Sequence, residues 1–242
     1  MGKKGGVNKL KRVAAPRSWD ISRKGKRFVY KPVPGTHATG SSYPLGVVIR
    51  DLAAMAERGK EIKFVVKGGK VLVDGRARST PSFPVGLFDV VGFPEEKTAY
   101  RMVPSPKGLL LAKVAGEESG RKLCSISSKT RVKGNHIQYG LHDGRSLLDD
   151  GLQLSPGDSV LIEVPSQKVV GKVKLAKGSL GLVLSGERAG KMGKIADVKQ
   201  GTISRERMVK ISLPGGDAEI PSRLVFPVGQ EQPMITVGVS ST

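Results

Sequence analysis

Cysteine is almost missing: Cys124 is the only one in 242 residues. A single thiol makes neither an internal disulfide nor a cysteine zinc cluster, which excludes a disulfide-stapled scaffold and fits a reducing compartment. Histidine is as sparse, with His37, His136 and His142 alone. His136 and His142 could approach each other in a hairpin near Asp143, but no third imidazole or thiol completes a metal site, so no metal is expected. Long apolar runs are lacking too. No stretch approaches the ~20 residues of a membrane-spanning helix. The basic N-terminus has no apolar segment of a secretory signal, and Gly6 stands where myristoylation needs Ser or Thr. Membrane is thereby disfavoured as a partner. Acidic residues are few, 21 against 41 Lys and Arg, for a formal net charge of +20 and a pI of about 10.2. Such an excess calls for a polyanion, and nucleic acid is the one that remains. Aromatics are scarce, whereas 32 Gly and 15 Pro favour short strands and turns over long helices.

What is present centres on residues 44–93. Leu45, Val48, Ile49, Leu52 and Ala56 recur at the helical period, and Ile62, Val65 and Val66 repeat the pattern after Gly59. Two short helices broken at Gly59 are predicted. On the second, Lys60, Lys63 and Lys67 fall together opposite the apolar stripe. Val71-Leu72-Val73, Asp74-Gly75 and Arg76-Ala77-Arg78 follow. A two-residue Asp-Gly loop between short strands predicts a hairpin, because both turn residues need positive φ. Arg76 and Arg78, two apart, should share one face of their strand. Leu87 to Val91 reads as a closing strand. For the lysines the plain alternative is an ordinary solvated helix face.

Residues 1–42 carry eleven Lys and Arg against Asp20 alone. Pro16, Pro32, Pro34 and several glycines interrupt any periodicity, so the segment reads as an irregular basic arm that is disordered when free and orders on RNA. Lys3, Lys4, Lys9, Lys11, Arg12, Arg17, Arg23, Lys24, Lys26 and Arg27 are its candidate contacts. Trp19, Phe28 and Tyr30 interleave with them and suit packing on nucleotides or on a neighbouring domain. Residues 43–97 form the helical module, closed by Pro81, Pro84 and Pro94. Residues 98–170 read as a small β domain, with runs at 109–114 and 159–164 and turns at Asp143-Gly144 and Pro156-Gly157-Asp158. Residues 171–242 are again strand and turn. There, Gly186, Gly190 and Gly193 are spaced G-x3-G-x2-G after the apolar run 180–184, with Arg188, Lys191 and Lys194 among them. This is neither a Walker A loop nor a dinucleotide fingerprint, because both spacings and the following helix are missing. All three glycines are predicted where a Cβ is disfavoured.

The helix pair, basic loop, V-x-V-D-G-R-x-R hairpin and closing strand resemble the alpha-L RNA-binding module. That module also occurs in pseudouridine synthases, some tRNA synthetases and a heat-shock ribosome factor. The resemblance implies that helices and hairpin grip an RNA backbone, with Arg50, Lys60, Lys63, Lys67, Lys70, Arg76 and Arg78 as candidates. Arg50 could equally pair with Asp51 or Glu57. The glycine loop resembles a KOW motif, the mark of small SH3-like barrels. Arm, alpha-L module, β domain and KOW loop in this order resemble the archaeal/eukaryotic-type small-subunit ribosomal protein four family over essentially the whole chain. The marks are 10–16 with Trp19, Gly35-Thr36-His37, Pro44-Leu45 with Arg50-Asp51, 85–90, and Leu141-His142-Asp143-Gly144-Arg145. His37 joins the candidate contacts on this ground. The family usually has Gly-Pro-His where Thr36 stands here, and Thr where Pro221-Ser222 stand. The length fits an archaeal member.

The expected fold is α+β and multidomain: basic arm, 1–42; alpha-L module, 43–97; central β domain, 98–170; SH3-like KOW barrel, 171–242. The resemblance implies a structural constituent of the small ribosomal subunit in the cytoplasm, contacting rRNA and neighbouring ribosomal proteins. No cofactor and no small-molecule substrate are expected. A pseudouridine-synthase-like enzyme is the competing class, but residues 98–242 offer no catalytic constellation, and Asp143 belongs to a turn-forming Asp-Gly pair. A KOW-containing transcription or translation accessory factor is the third.

Overall fold

The structure is a computed structural model that describes residues 9–202 and 205–238. Lys3 and Lys4 lie outside those residues. The described chain is mostly β-sheet with few helices.

The N-terminal segment is folded, against the expectation of an independent arm. β1 (Leu10–Lys11) pairs antiparallel with β2 (Phe28–Val29). Ala15, Trp19 and Val29 are buried in one core with Tyr43, Leu45, Ile49 and Met102. The Trp19 ring stacks on Tyr43 at 5.6 Å between centroids. Its indole N–H donates to the Ser42 carbonyl at 2.8 Å. The Tyr43 hydroxyl donates to the Ser18 carbonyl at 2.6 Å. The segment cannot build a core alone, but it completes one supplied by the residues that follow.

β3 (Tyr43–Pro44) leads into α1 (Leu45–Val47), a single turn that widens to a π turn over Val48–Leu52. The Ala53 N–H reaches back to the Val48 carbonyl at 2.8 Å. The first predicted helix is therefore shorter than its apolar stripe. The β-branched run Val47-Val48-Ile49 crowds the preceding turn, and Ala54 leaves it with φ 53°. Gly59 does not break a helix; it begins α2 (Gly59–Lys67). There the Glu61 carboxylate accepts the Glu57 and Arg58 N–H groups at 3.1 Å each, which satisfies donors that every helix start leaves open. The helix ends at Gly68, and Gly69 turns away with φ 71°.

β4 (Leu72–Val73) and β5 (Arg76–Ala77) form the hairpin, with Asp74 at φ 50° and Gly75 at φ 73°. β6 (Pro84–Val85) pairs with β3. The strand expected over residues 87–91 begins only at Val90, because Phe88 sits at φ 60°. That turn aims the ring away from its own sheet. β7 (Val90–Phe93), β8 (Thr98–Ser105) and β9 (Gly108–Val114) then complete a five-stranded sheet in the order β5-β4-β7-β8-β9. Sheet pairing thus runs straight across the expected boundary at 97/98. Pro94 to Lys97 is a hairpin turn between Phe93 and Thr98, so Pro94 punctuates a sheet and not a domain.

The second sheet contains β10 (Arg121–Arg131), β11 (Ile137–Leu141), β12 (Ser146–Leu148), β13 (Ser159–Glu163) and β14 (Val169–Val173), in the order β12-β11-β10-β13-β14. The third has β15 (Leu180–Val183), β16 (Met192–Lys199), β17 (Met208–Leu213), β18 (Gly216–Pro221) and β19 (Val225–Gly229), in the order β18-β17-β16-β15-β19. Phe88 joins the three sheets. It packs edge-on against Phe226 at 5.0 Å in a cluster with Leu123, Leu161, Leu182 and Val228.

Candidate nucleic-acid interface

α2 separates its two faces cleanly. Ile62 and Val66 are 0% exposed, whereas Lys60, Lys63 and Lys67 are exposed. None of the three takes an acid partner among the described residues. The helix's only acid, Glu61, is occupied at its N-terminus, where the two backbone N–H groups hold its carboxyl below the usual range. A ridge of three ammonium groups without counter-charge is the outcome. Arg76 on β5 is exposed beside it in the chain, but Arg78 is not. The Arg78 guanidinium lies over the Phe83 ring at 4.2 Å and is half-buried, so the two arginines do not share one exposed face.

The other predicted contacts divide in the same way. Lys9, Lys11, Arg17, Lys24, Lys26 and Arg27 are exposed, as are Arg188, Lys191 and Lys194 in the glycine loop. Trp19 is core, 2% exposed. Arg12 is buried, donating to the Ser22 carbonyl at 2.6 Å and lying 3.3 Å from Asp51. Arg23 donates to the carbonyls of Ala15 and Pro16 at 2.7 Å each. Arg50 pairs with Asp51 at 2.7 Å. Lys70 pairs with Glu95 at 2.9 Å. The His37 ring is enclosed and bonds Asp89 at 3.1 Å. Apart from Lys70, whose pair with Glu95 lies at the surface, these groups are engaged inside the fold.

The glycine loop joins β15 to β16. Gly190 has φ 80°, and a Cβ there would stand 2.7 Å from the Pro104 carbonyl oxygen. Gly193 is not left-handed. Its Cβ would instead stand 2.0 Å from the Ser212 carbonyl oxygen of the neighbouring strand, so close approach, and not φ, demands glycine there.

Sequence reasoning missed a buried ionic centre. The Lys122 ammonium, 0% exposed, donates to Asp74 at 2.9 Å, to Asp143 at 2.8 Å and to Asp89. Arg145 adds a 2.6 Å bond to Asp74. Burial pushes all three carboxyls up; it prevails at Asp74, where the Asp89 charge adds to it, whereas Lys122 together with His37 brings Asp89 below the usual range, and Lys122 together with His142 and Arg145 does the same for Asp143. The partners come from the β4–β5 turn, the Phe88 turn, β10 and the β11–β12 turn, so no local spacing announces them. Also unforeseen are Lys172, Lys174 and Lys177, an exposed basic cluster on β14 and after it.

The family model described as Ribosomal family S4e matches residues 96–169, and the RS4NT (NUC023) domain matches 4–39. The chain is 38% identical to the small ribosomal subunit protein eS4 of Methanocella arvoryzae over 228 residues, covering 94% of this chain and 97% of that one. The chain belongs to the eS4 family of small ribosomal subunit proteins. The eS4 of Methanocaldococcus jannaschii is 36% identical over 243 residues, with 97% of this chain and 99% of that one covered. The crystal structure of the 30S ribosomal protein S4e from Thermoplasma acidophilum superposes with a TM-score of 0.68 at 26% identity, covering 79% of this chain and 96% of that one. This family is one of structural ribosomal proteins and not of enzymes. The S4e match begins at Glu96, inside the β7–β8 turn, so the family's sequence unit and the hydrogen-bonded sheet divide the chain at different places. No helix among the described residues is long and apolar enough to cross a membrane.

Proposed function

We infer that this chain is a structural constituent of the small ribosomal subunit, in the cytoplasm, which helps fold and hold rRNA among neighbouring ribosomal proteins. The observation that carries the reading is the lysine ridge of α2, three exposed ammonium groups backed by the fully buried Ile62 and Val66. With the β4–β5 hairpin it fits an alpha-L module gripping RNA phosphates. Lys9, Lys11, Arg17, Lys24, Lys26, Arg27 and Arg76 extend the basic surface, and the 186–194 loop with Arg188, Lys191 and Lys194 fits a KOW contact. Phosphate contacts position a protein without reading bases, so this surface recognises shape and charge.

Changing Lys60, Lys63 and Lys67 together to Glu should abolish specific rRNA binding and leave far-ultraviolet dichroism intact, because exposed substitutions rarely cost much stability. The control reverses Arg131, Lys133 and Lys168, exposed on the central sheet and its loops. Equal losses for the two triples at one salt concentration would refute the ridge as the site.

A further inference from the structure

Phe64 flanks the lysine ridge, next to Lys60 around the helix, and is 72% exposed. It is one turn after Lys60 and just under one turn before Lys67, opposite Ile62 around the helix. A single exposed apolar side chain is ordinary on a protein surface and by itself means nothing. Three further facts distinguish this one. Its neighbours along the ridge are Lys60, Lys63 and Lys67, which gather a polyanion around the ring. The Lys70 ammonium stands 5.8 Å from the ring centroid, so a cation already lies over the aromatic face at the edge of useful range. And the ring is carried on a capped helix whose opposite side is fully buried, so the backbone that carries it is fixed before any ligand arrives.

We propose that Phe64 is a stacking platform for one unpaired, splayed-out base of the RNA whose backbone the flanking lysines hold. The proposal rests on the rRNA reading and deepens it. Lysines on phosphate supply affinity without preference for strand state, whereas an aromatic face takes a base only where that base has left its helix. Phe64 therefore directs the ridge to a bulge, loop or junction and away from continuous duplex.

The test uses the full chain, with small-subunit rRNA transcribed from the genome that encodes it. Phe64→Leu keeps apolar bulk but removes the π face; Phe64→Lys adds a cation; Phe64→Trp enlarges the platform. Dichroism and melting should match wild type for all three. Stacking predicts about a five- to hundredfold loss of affinity for Phe64→Leu and for Phe64→Lys. Phe64→Trp should retain or improve affinity, and the salt dependence of Phe64→Leu should be unchanged, because no phosphate contact is lost. A benzophenone amino acid at position 64 should crosslink to an unpaired nucleotide in the assembled subunit. Wild-type affinity in Phe64→Leu, a gain in Phe64→Lys, or a crosslink to protein alone would overturn the proposal. If Phe64→Leu binds as wild type while the triple lysine variant does not bind, stacking fails and the rRNA reading stands. A wild-type chain that does not bind rRNA overturns both.

Discussion

His142 should make this protein acid-sensitive well above the pH at which carboxylates titrate. Its Nδ1 faces the Ser125 N–H at 3.2 Å and its Nε2 faces the Leu87 carbonyl at 3.3 Å. An amide N–H can only donate and a carbonyl can only accept, so the ring is neutral with its proton on Nε2. A second proton would set N–H against N–H. The ring also lies 5.8 Å from Phe226 and 5.9 Å from His37, at the junction of all three sheets. Burial, and then the charge of Lys122, lower its pKa from 6.5 to about 4. The sign follows from which state takes up the proton. Between pH 6.5 and 4 the unfolded chain binds a proton at this histidine and the folded chain does not, so stability is full above 6.5 and falls as pH drops. From pH 7 to pH 5 the loss is about 2 kcal/mol. It levels off below about 4, where the folded ring protonates as well. Urea unfolding of wild type and His142→Gln at the two pH values measures it. His37 and His136 are common to both proteins and cancel in the difference. A ring titration near 6.5 in the folded protein, or equal pH dependence of the two proteins, would refute the assignment.

Two other perturbations probe the same architecture. Lys122→Met should cost about 3–5 kcal/mol in denaturant unfolding, because three buried carboxylates lose a shared cation; a cost under about 1 kcal/mol would mean that Arg145 and His37 suffice. Gly193→Ala should destabilise by about 1–3 kcal/mol, since its Cβ meets a carbonyl at 2.0 Å. Gly186→Ala, with φ 91° but nothing within 4 Å, should lose less in the same melting series.

What could be read from the sequence was what depends on near neighbours. The faces of α2 follow from a 3.6-residue period, and Ile62, Val66 and the three lysines fall where that period puts them. The Asp74-Gly75 hairpin follows from two residues that tolerate positive φ. The N-terminal segment was misread for a definite reason. Composition counts only the apolar surface a segment could bury within itself, and residues 9–42 bury theirs against Tyr43, Leu45 and Met102 of later elements. Trp19 among cations suited packing on nucleotides or on a neighbouring domain, and it does the second as a core side chain. The Lys122 centre is non-local in the same sense. Asp74 and Asp143 each begin an Asp-Gly pair, which accounts for them as turn residues and conceals that both carboxylates point inward. Phe64 reverses that case, an aromatic at a position the helical period assigns to solvent.

The interior bears on how the outside behaves. Among the described residues the buried charged groups are Arg12, Arg101 and Lys122 on one side and Asp74, Asp89, Asp143 and Asp158 on the other, alongside the neutral Cys124. They balance to within one charge, so burial among the described residues conceals almost none of the chain's net +20. Several half-buried acids are also engaged inside the fold. Asp51 takes Arg12 and Arg50, and Glu118 takes Arg101 and the Thr236 hydroxyl. Carboxylates that could have neutralised neighbouring surface lysines are thus occupied inside the fold. The ion pairs that draw these acids into the fold leave the α2 ridge without counter-ions of its own, so cohesion inside and attraction for a polyanion outside come from one distribution of acids.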